Sequence, residues 1–307
     1  MAAREREIAL MQRRAVTVLM NPAAGSGTPA EQIREAFRAA GCDATVIELQ
    51  PGQDPTATAA RHATPGAVVA AAGGDGTVSS VAAGLAGTEA LLGVLPIGTL
   101  NHFAKDLGVP LELDAAVAAI VSGRVVRTDV GTVNGRVFLN ACSIGVYPNI
   151  VAIRETLRAQ GGRKWSSMAL GIARVLRHYR GVHVRLEDTH GRVARWRTPF
   201  LFIGNNEYTI EGRQLGSRER LDAGQLVAYL APRTHTRDLP LLLARALLGR
   251  AVQSGAFVVF AARELKVETP YTRARLALDG ELVEIAPPLH FAVRPGALQV
   301  LLPEVTA

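Results

Sequence analysis

Residues Ala67 to Ala72 form an unbroken apolar run, and the chain then reads Gly73-Gly74-Asp75-Gly76-Thr77 before the helix-like Val78 to Leu85. A short apolar run bounded by glycines predicts a buried strand, and the glycines allow the sharp turn into the helix that follows. Three glycines around one carboxylate bring backbone N–H groups and an acid to a single anionic ligand, which is how nucleotide phosphates are held. The stretch thus constrains the fold to strand–turn–helix units and the chemistry to anion binding.

The same rhythm runs from Ala15 to about Asp129, where β-branched runs alternate with Ala-rich amphipathic stretches. Strands are predicted at Ala15 to Met20, Ala44 to Leu49, Ala67 to Ala72 and Leu91 to Leu95, with helices at Pro29 to Ala40, Pro55 to Ala63, Val78 to Ala86 and Leu113 to Ser122. This alternation predicts an α/β domain whose parallel sheet carries helices on both faces. Thr28, Pro29 and Glu31 read as an N-cap, a proline at the first helical position and a capping box.

After Asp129 the runs shorten and Gly, Asn and Asp separate them: Gly131 to Asn140, Val182 to Leu186, Arg192 to Ile203, Gln225 to Ala231, Ala256 to Val259, Leu265 to Thr269, Arg273 to Leu278 and Leu289 to Arg294. Many short strands with turn residues between them predict a β-sandwich or open barrel. Two helical insertions are expected, at Asn149 to Arg180, interrupted at Gly161-Gly162, and at the Leu-rich Asp238 to Gln253, which reads as a packed helix. The expected domains are residues 12–130 and 131–296, in keeping with 307 residues, a length that favours two cores over one.

Aromatic residues make up 5% of the chain and leave no base-stacking platform, which argues against a nucleic-acid partner. The net charge of +7 is concentrated between Val151 and Arg250, where eighteen Arg or Lys face eight Asp or Glu. Such an excess favours an anionic partner, and lipid head groups would satisfy it; a merely solvated basic surface is the plainer alternative. Trp165, beside Arg163 and Lys164, is the candidate interfacial contact. Cys42 and Cys142 make neither a disulfide framework nor a metal site, and the seven histidines lack ligand spacing, so a reducing cytoplasm is expected. Met1 to Arg14 lacks the apolar core of a signal peptide, and no stretch is long and apolar enough to span a bilayer. The expectation is a cytoplasmic protein that meets the inner membrane face peripherally; oligomeric state is left open, a homodimer among the options.

Three successive strand-to-helix turns carry phosphate-friendly residues: Asn21-Pro22-Ala23-Ala24-Gly25-Ser26-Gly27, then Gly73 to Thr77, then Pro96-Ile97-Gly98-Thr99-Leu100-Asn101-His102-Phe103. In an open α/β sheet such turns gather at the carboxyl ends of the strands, where ligands bind. Gly25, Gly27 and Ala30 with Glu48 also fit the dinucleotide fingerprint, but a dehydrogenase would leave the other two turns unexplained. Walker A, H-R-D and D-F-G sequences are absent, which excludes P-loop and protein-kinase chemistry.

Asn21 to Gly25, Gly73 to Thr77, Pro96 to Asn101 with Phe103-Ala104, and the late Asp279-Gly280-Glu281 resemble, in order, the four signatures of the diacylglycerol kinase catalytic-domain family. That family includes bacterial lipid kinases and sphingosine and ceramide kinases. The resemblance implies an α/β nucleotide domain like that of NAD kinases and diacylglycerol kinases, a C-terminal β-sandwich for the lipid, an active cleft between them, and a chain end, about residues 297–307, that returns to the first domain. ATP would be held by Asn21, Pro22, Ala23, Ala24 and Gly25, by Gly73, Gly74, Gly76, Thr77, Val78 and Ser79, and by Thr99. Asp75 would hold catalytic Mg²⁺ or orient the acceptor hydroxyl, Glu281 would be the general base, and Asp222 would belong to a structural Mg²⁺ site.

Phosphoryl transfer asks a protein chiefly to position groups and neutralise charge, and a carboxylate can take the proton of a poorly nucleophilic lipid hydroxyl. Taken alone, Asp279-Gly280 reads as a hairpin turn. The sequence departs from the family pattern at His102, where many members carry Asp, with Asp106 placed to compensate one helical turn on. A second departure is Ala223, where an acid of a Leu-Asp-Asp-Gly turn is common. An NAD kinase shares the Gly73 to Thr77 turn but not the Asn21-Pro22 or Gly98 to Asn101 signatures, and a non-catalytic lipid-binding protein is the rival that His102 and Ala223 encourage.

Overall fold

The computed structural model describes residues 16–24, 27–159, 171, 173–175, 177, 179, 181–188, 191, 193–209, 216–231, 235, 238–241 and 258–304. Gly25, Ser26, the Gly161-Gly162 break, Trp165 and most of Asp238 to Gln253 therefore lie outside the described residues. Two compact units result, Met1–Val130 with Pro295–Ala307, and Gly131–Arg294.

In the first unit the strands β1 (Val16–Met20), β2 (Ala44–Glu48), β3 (Val68–Ala72) and β4 (Leu91–Leu95) pair in parallel in the order β2-β1-β3-β4. Every residue of β3 and β4 is buried, as expected of parallel strands covered on both faces, whereas every residue of β2 at the edge is half-buried or exposed. Helices α1 (Ala30–Ala39) and α5 (Leu113–Ser122) pack together, and so do α2 (Pro55–His62) and α3 (Asp75–Leu85); a short α4 (His102–Asp106) follows β4. Helix α1 buries Ala30, Ile33, Ala36 and Phe37, an amphipathic stripe. Its start departs from the expected capping box. Pro29 itself is the N-cap at ψ 147°, and Glu31 is taken by Arg34 at 3.0 Å and Arg38 at 2.7 Å. Helix α2 has the standard device, with Asp54 accepting from Thr56 N at 2.8 Å and Pro55 at the first position.

The second unit is a β-sandwich. One sheet follows the antiparallel order β12 (Val258–Ala262), β11 (Leu226–Leu230), β10 (Phe200–Asn205), β7 (Ala141–Gly145), β14 (Ala274–Leu278), β15 (Glu281–Ile285). The other holds β13 (Glu264–Glu268), β8 (Val182–Asp188) and β9 (Val193–Thr198), with the hairpin β5 (Arg124–Val133) and β6 (Arg136–Phe138). Between the sheets lies a buried cluster including Phe138, Ile144, Leu201, Ile203, Leu265, Leu276 and Phe291, and Trp196 on β9 stacks on Phe260 of β12 at 6.3 Å. Helix α6 (Val146–Ala159) packs on β7, β14 and β15. Both cysteines are free and buried, and burial pushes the Cys142 thiol up, with the Asp279 charge adding to it.

Several boundaries differ from those expected from sequence. Gly131 to Asn140 is not one run but the β5–β6 hairpin, turned by Asn134 and Gly135 at φ 45° and 81°. Leu289 to Arg294 extends into β16 (Leu289–Leu302), whose first half pairs with β13 and whose second half pairs in parallel with β4.

Gly84 sits where α2 and α3 touch: a Cβ there would collide with Thr56 O and stand 2.8 Å from the Ala59 Cβ, and Thr56 Oγ1 donates to Ser80 O at 2.9 Å. Gly84→Val is therefore expected to destabilise the protein by about 1–3 kcal/mol through overpacking, read as a lower midpoint in urea unfolding.

Candidate functional site

The first three turns of interest follow β1, β3 and β4, adjacent parallel strands, so they lie together at the carboxyl ends. The connection leaving β1 leads to β2 on one side and that leaving β3 leads to β4 on the other, which makes the β1/β3 boundary the topological switch point where open sheets bind ligands.

Close backbone packing and two side-chain hydrogen bonds fix the turns to one another. A Cβ on Gly98 would collide with Gly74 Cα and stand 2.9 Å from Gly74 N, so the second and third turns pack main chain on main chain. A Cβ on Gly73 would stand 2.5 Å from Thr77 Cβ. The Asp75 carboxylate accepts from the Phe103 N–H through Oδ1 at 3.1 Å, joining the N-terminus of α3 to α4. Asn21 donates through Nδ2 to Thr77 Oγ1 at 3.3 Å and accepts the Ala23 N–H through Oδ1 at 3.0 Å, tying the first turn to the second. Asn101 stands in the left-handed region at φ 53° and donates through Nδ2 to Pro96 O and Gly98 O, both at 2.9 Å, which holds the third turn closed; its buried Oδ1 has no partner among the described residues.

The candidate residues fall into three groups. Asn21, Gly74, Asp75 and Gly76 are half-buried around the N-terminus of α3, where the first N–H groups of a helix have no intrahelical acceptor and the helix dipole favours an anion. Pro22, Ala23 and Thr99 are exposed and Ala24 is half-buried, while Gly25 is outside the described residues. Thr77, Val78 and Ser79 are buried, and the Val78 N–H already donates to Gly74 O at 3.0 Å, so Val78 supports the helix and presents neither side chain nor N–H to a ligand. His102 and Lys105 are exposed on α4.

The second unit holds the fourth signature in a two-residue hairpin turn between β14 and β15. Asp279 and Gly280 take φ 48° and 87°, and Leu278 pairs with Glu281. The Asp279 carboxylate is structural: Oδ2 accepts from Leu139 N at 2.8 Å, and Oδ1 from Asn140 N at 2.8 Å and Ala141 N at 3.0 Å. Glu281, the next residue, is exposed. Asp222 is paired with Arg220 Nε at 3.0 Å, which holds its carboxyl below the usual range, and the neighbouring Ala223 N donates to Asn206 Oδ1 at 3.1 Å. A guanidinium beside the only acid of that turn does not suit a structural cation. Among the described residues no group of three or more His, Cys, Asp and Glu side chains could hold a metal. Gly98, read in the sequence only as part of the third turn, proves to be the glycine that lets the second turn approach; the buried Arg218, which donates to Leu139 O and Asn140 Oδ1, each at 2.7 Å, left no readable mark in the sequence.

Residues 15–133 match the family described as diacylglycerol kinase catalytic domain, and residues 143–302 match the YegS C-terminal NAD kinase beta sandwich-like domain. The chain belongs to the diacylglycerol kinase catalytic-domain family. It is 33% identical over 243 residues to a protein of Pseudomonas aeruginosa (strain UCBPP-PA14) named "Probable lipid kinase YegS-like", covering 77% of each chain. A Chromohalobacter salexigens protein of the same name is 30% identical over 304 residues, 92% of each. The crystal structure of a diacylglycerol kinase from Bacillus anthracis str. Sterne shares the fold, with a TM-score of 0.70, 20% identity, and 96% of this chain and 98% of that one covered. The protein is thus a kinase, a phosphotransferase of a family that uses ATP. No described helix is long and apolar enough to cross a membrane.

The cradle makes a discriminating pair of substitutions. Gly98→Ala must force two backbones apart and is expected to weaken ATP binding by about ten-fold or more, ~1.4 kcal/mol, in calorimetric titration. Gly74→Ala places its Cβ 3.6 Å from Gly98 Cα, an ordinary contact, and is expected to leave the melting temperature near that of the parent.

Proposed function

We propose that this kinase transfers the γ-phosphate of ATP to the hydroxyl of a diacylglycerol-like or sphingoid lipid, with Mg²⁺, working peripherally at an anionic membrane surface on the cytoplasmic side. The observation that carries the reading is the set of three interlocked turns at the β1, β3 and β4 ends, in a chain one-third identical to proteins named as lipid kinases. Backbone N–H groups at the start of α3 suit the phosphates, and Asn21 holds the first turn against them.

Asp75 is the residue that would hold Mg²⁺. It fits, because Mg²⁺ is commonly bound through one or two carboxylates plus substrate phosphates rather than by an all-protein cage. One Asp75 oxygen is fixed by Phe103 N–H, which orients the carboxylate. The ion would supply neutralisation of the charge on the transferring phosphoryl group. Glu281 is the proposed base: fixed in place by a rigid two-residue turn and exposed, it can accept the proton of the acceptor hydroxyl. Membrane contact is supported by the basic middle of the chain, including Arg195 and Arg197, which point outward from β9.

The test is an assay with γ-labelled ATP, Mg²⁺ and mixed micelles of dioleoylglycerol or sphingosine. Labelled lipid is expected, and it should vanish when EDTA is added. Asp75→Asn retains an acceptor for Phe103 N–H and removes only the charge; it and Glu281→Gln are each expected to lower kcat by about 100-fold or more at unchanged melting temperature. Phosphorylation of NAD with no label in either lipid would overturn the assignment.

A further inference from the structure

Arg218 is 4% exposed, so a guanidinium charge is buried inside the second unit. Its Nη1 donates to Leu139 O at 2.7 Å and Asn205 O at 3.0 Å, its Nη2 donates to Asn140 Oδ1 at 2.7 Å, and the group lies 5.2 Å from the Tyr208 ring centroid. Leu139 O takes a second bond from Asn205 Nδ2 at 2.9 Å. The other end of the same peptide group, Asn140 N–H, donates to Asp279 Oδ1 at 2.8 Å.

One peptide group therefore stands between a buried cation and a carboxylate, with its oxygen toward the cation and its hydrogen toward the anion. Burying a charge is costly unless an opposite charge compensates it, and a peptide dipole aligned in this way transmits the compensation while being strengthened by it. The carboxylate so held belongs to the left-handed Asp279, whose own N–H donates to Ala141 O at 2.9 Å, and the residue after Gly280 is Glu281. The next peptide runs the same way: Asn205 N–H donates to Asn140 O at 2.9 Å and Ala141 N–H donates to Asp279 Oδ1 at 3.0 Å, so two successive peptides join the Asn205–Arg218 region to the turn that presents Glu281.

We infer that Arg218 is a positioning residue for Glu281, acting through the Leu139–Asn140 peptide and the Asp279 carboxylate. The inference rests on the reading of Glu281 as the base. Its geometric part is independent of that reading: Arg218 sets the position of the 139–141 segment, and the segment anchors the turn. A lysine cannot replace it, because a single ammonium lacks the planar fork that reaches Leu139, Asn140 and Asn205 together.

The experiment compares the parent with Glu281→Gln, Arg218→Met and Arg218→Lys in steady-state phosphorylation of dioleoylglycerol in mixed micelles, across pH and with ATP varied. Arg218→Met is expected to lower kcat about 10- to 100-fold through misplacement of the base, with the KM for ATP kept within about twofold. Its acid limb of kcat should move to higher pH, since removing the cation behind the Leu139–Asn140 peptide disfavours an ionised carboxylate on the turn which that peptide holds. Arg218→Lys retains the charge, so it should leave the acid limb in place yet lose kcat. A merely structural role would lower the amount of folded enzyme and leave the acid limb and per-molecule kcat alone. Parent values of kcat and of the acid limb in folded Arg218→Met would overturn the inference, and where that variant does not fold, a parent-like kcat in Arg218→Lys would do the same. If Glu281→Gln is inactive while the Arg218 variants behave as the parent, only the positioning role fails. If Glu281→Gln retains the parent rate, the base assignment itself fails.

Discussion

The approach of Gly98 to Gly74 is the constraint on which the first unit of this protein depends. With no side chain between them, the turns after β3 and β4 form one surface, and Asp75 bridges that surface to α4 through the Phe103 N–H. Asn21 joins the third participant by reaching Thr77. Three motifs that are separated in the chain become a single floor because small residues let main chain meet main chain. The side chains drawn into this floor are then committed to holding it in shape, which leaves N–H groups and one carboxylate to face a ligand.

The second unit uses a different device for the same end. The carboxylate of its Asp279, two residues before Glu281, is occupied by three N–H groups from residues 139–141. The bonds of a carboxylate to main-chain donors are charge-assisted and short, so the hairpin that carries Glu281 is fastened to the start of β7. Asn134 does similar work at the β5–β6 hairpin, accepting from His290 N at 2.7 Å and donating to Pro288 O at 3.1 Å.

Much of this was legible in the residues themselves. The buried runs of β3 and β4 and the glycines after them announce a parallel sheet because both signals are local, one of composition and one of turn chemistry. The Asp279-Gly280 hairpin is equally local, and its two positive φ values are what that dipeptide prefers. What escaped the sequence is non-local. Nothing adjacent to Arg218 in the chain marks it for burial, since its partners lie at Leu139, Asn140 and Asn205. Nor does the stretch Pro295-Gly296 announce that β16 continues through it, because proline and glycine normally stop a strand; here Asp129 Oδ1 accepts the Gly296 N–H at 2.8 Å and takes the place of a ladder partner. At the start of α1 the difference is local instead: Pro29 is the N-cap, and Arg34 and Arg38 of the same helix take Glu31.

Strand β16 also orders events in time. In its second half Gln299 and Val300 pair with Leu91 and Leu92, so the first unit's sheet acquires that neighbour of β4 only from residues near 300. On a ribosome the β-sandwich segments between Gly131 and Arg294 emerge before that strand does. The nascent first unit must wait, with one flank of β4 unpaired, until translation has passed the whole of the second unit.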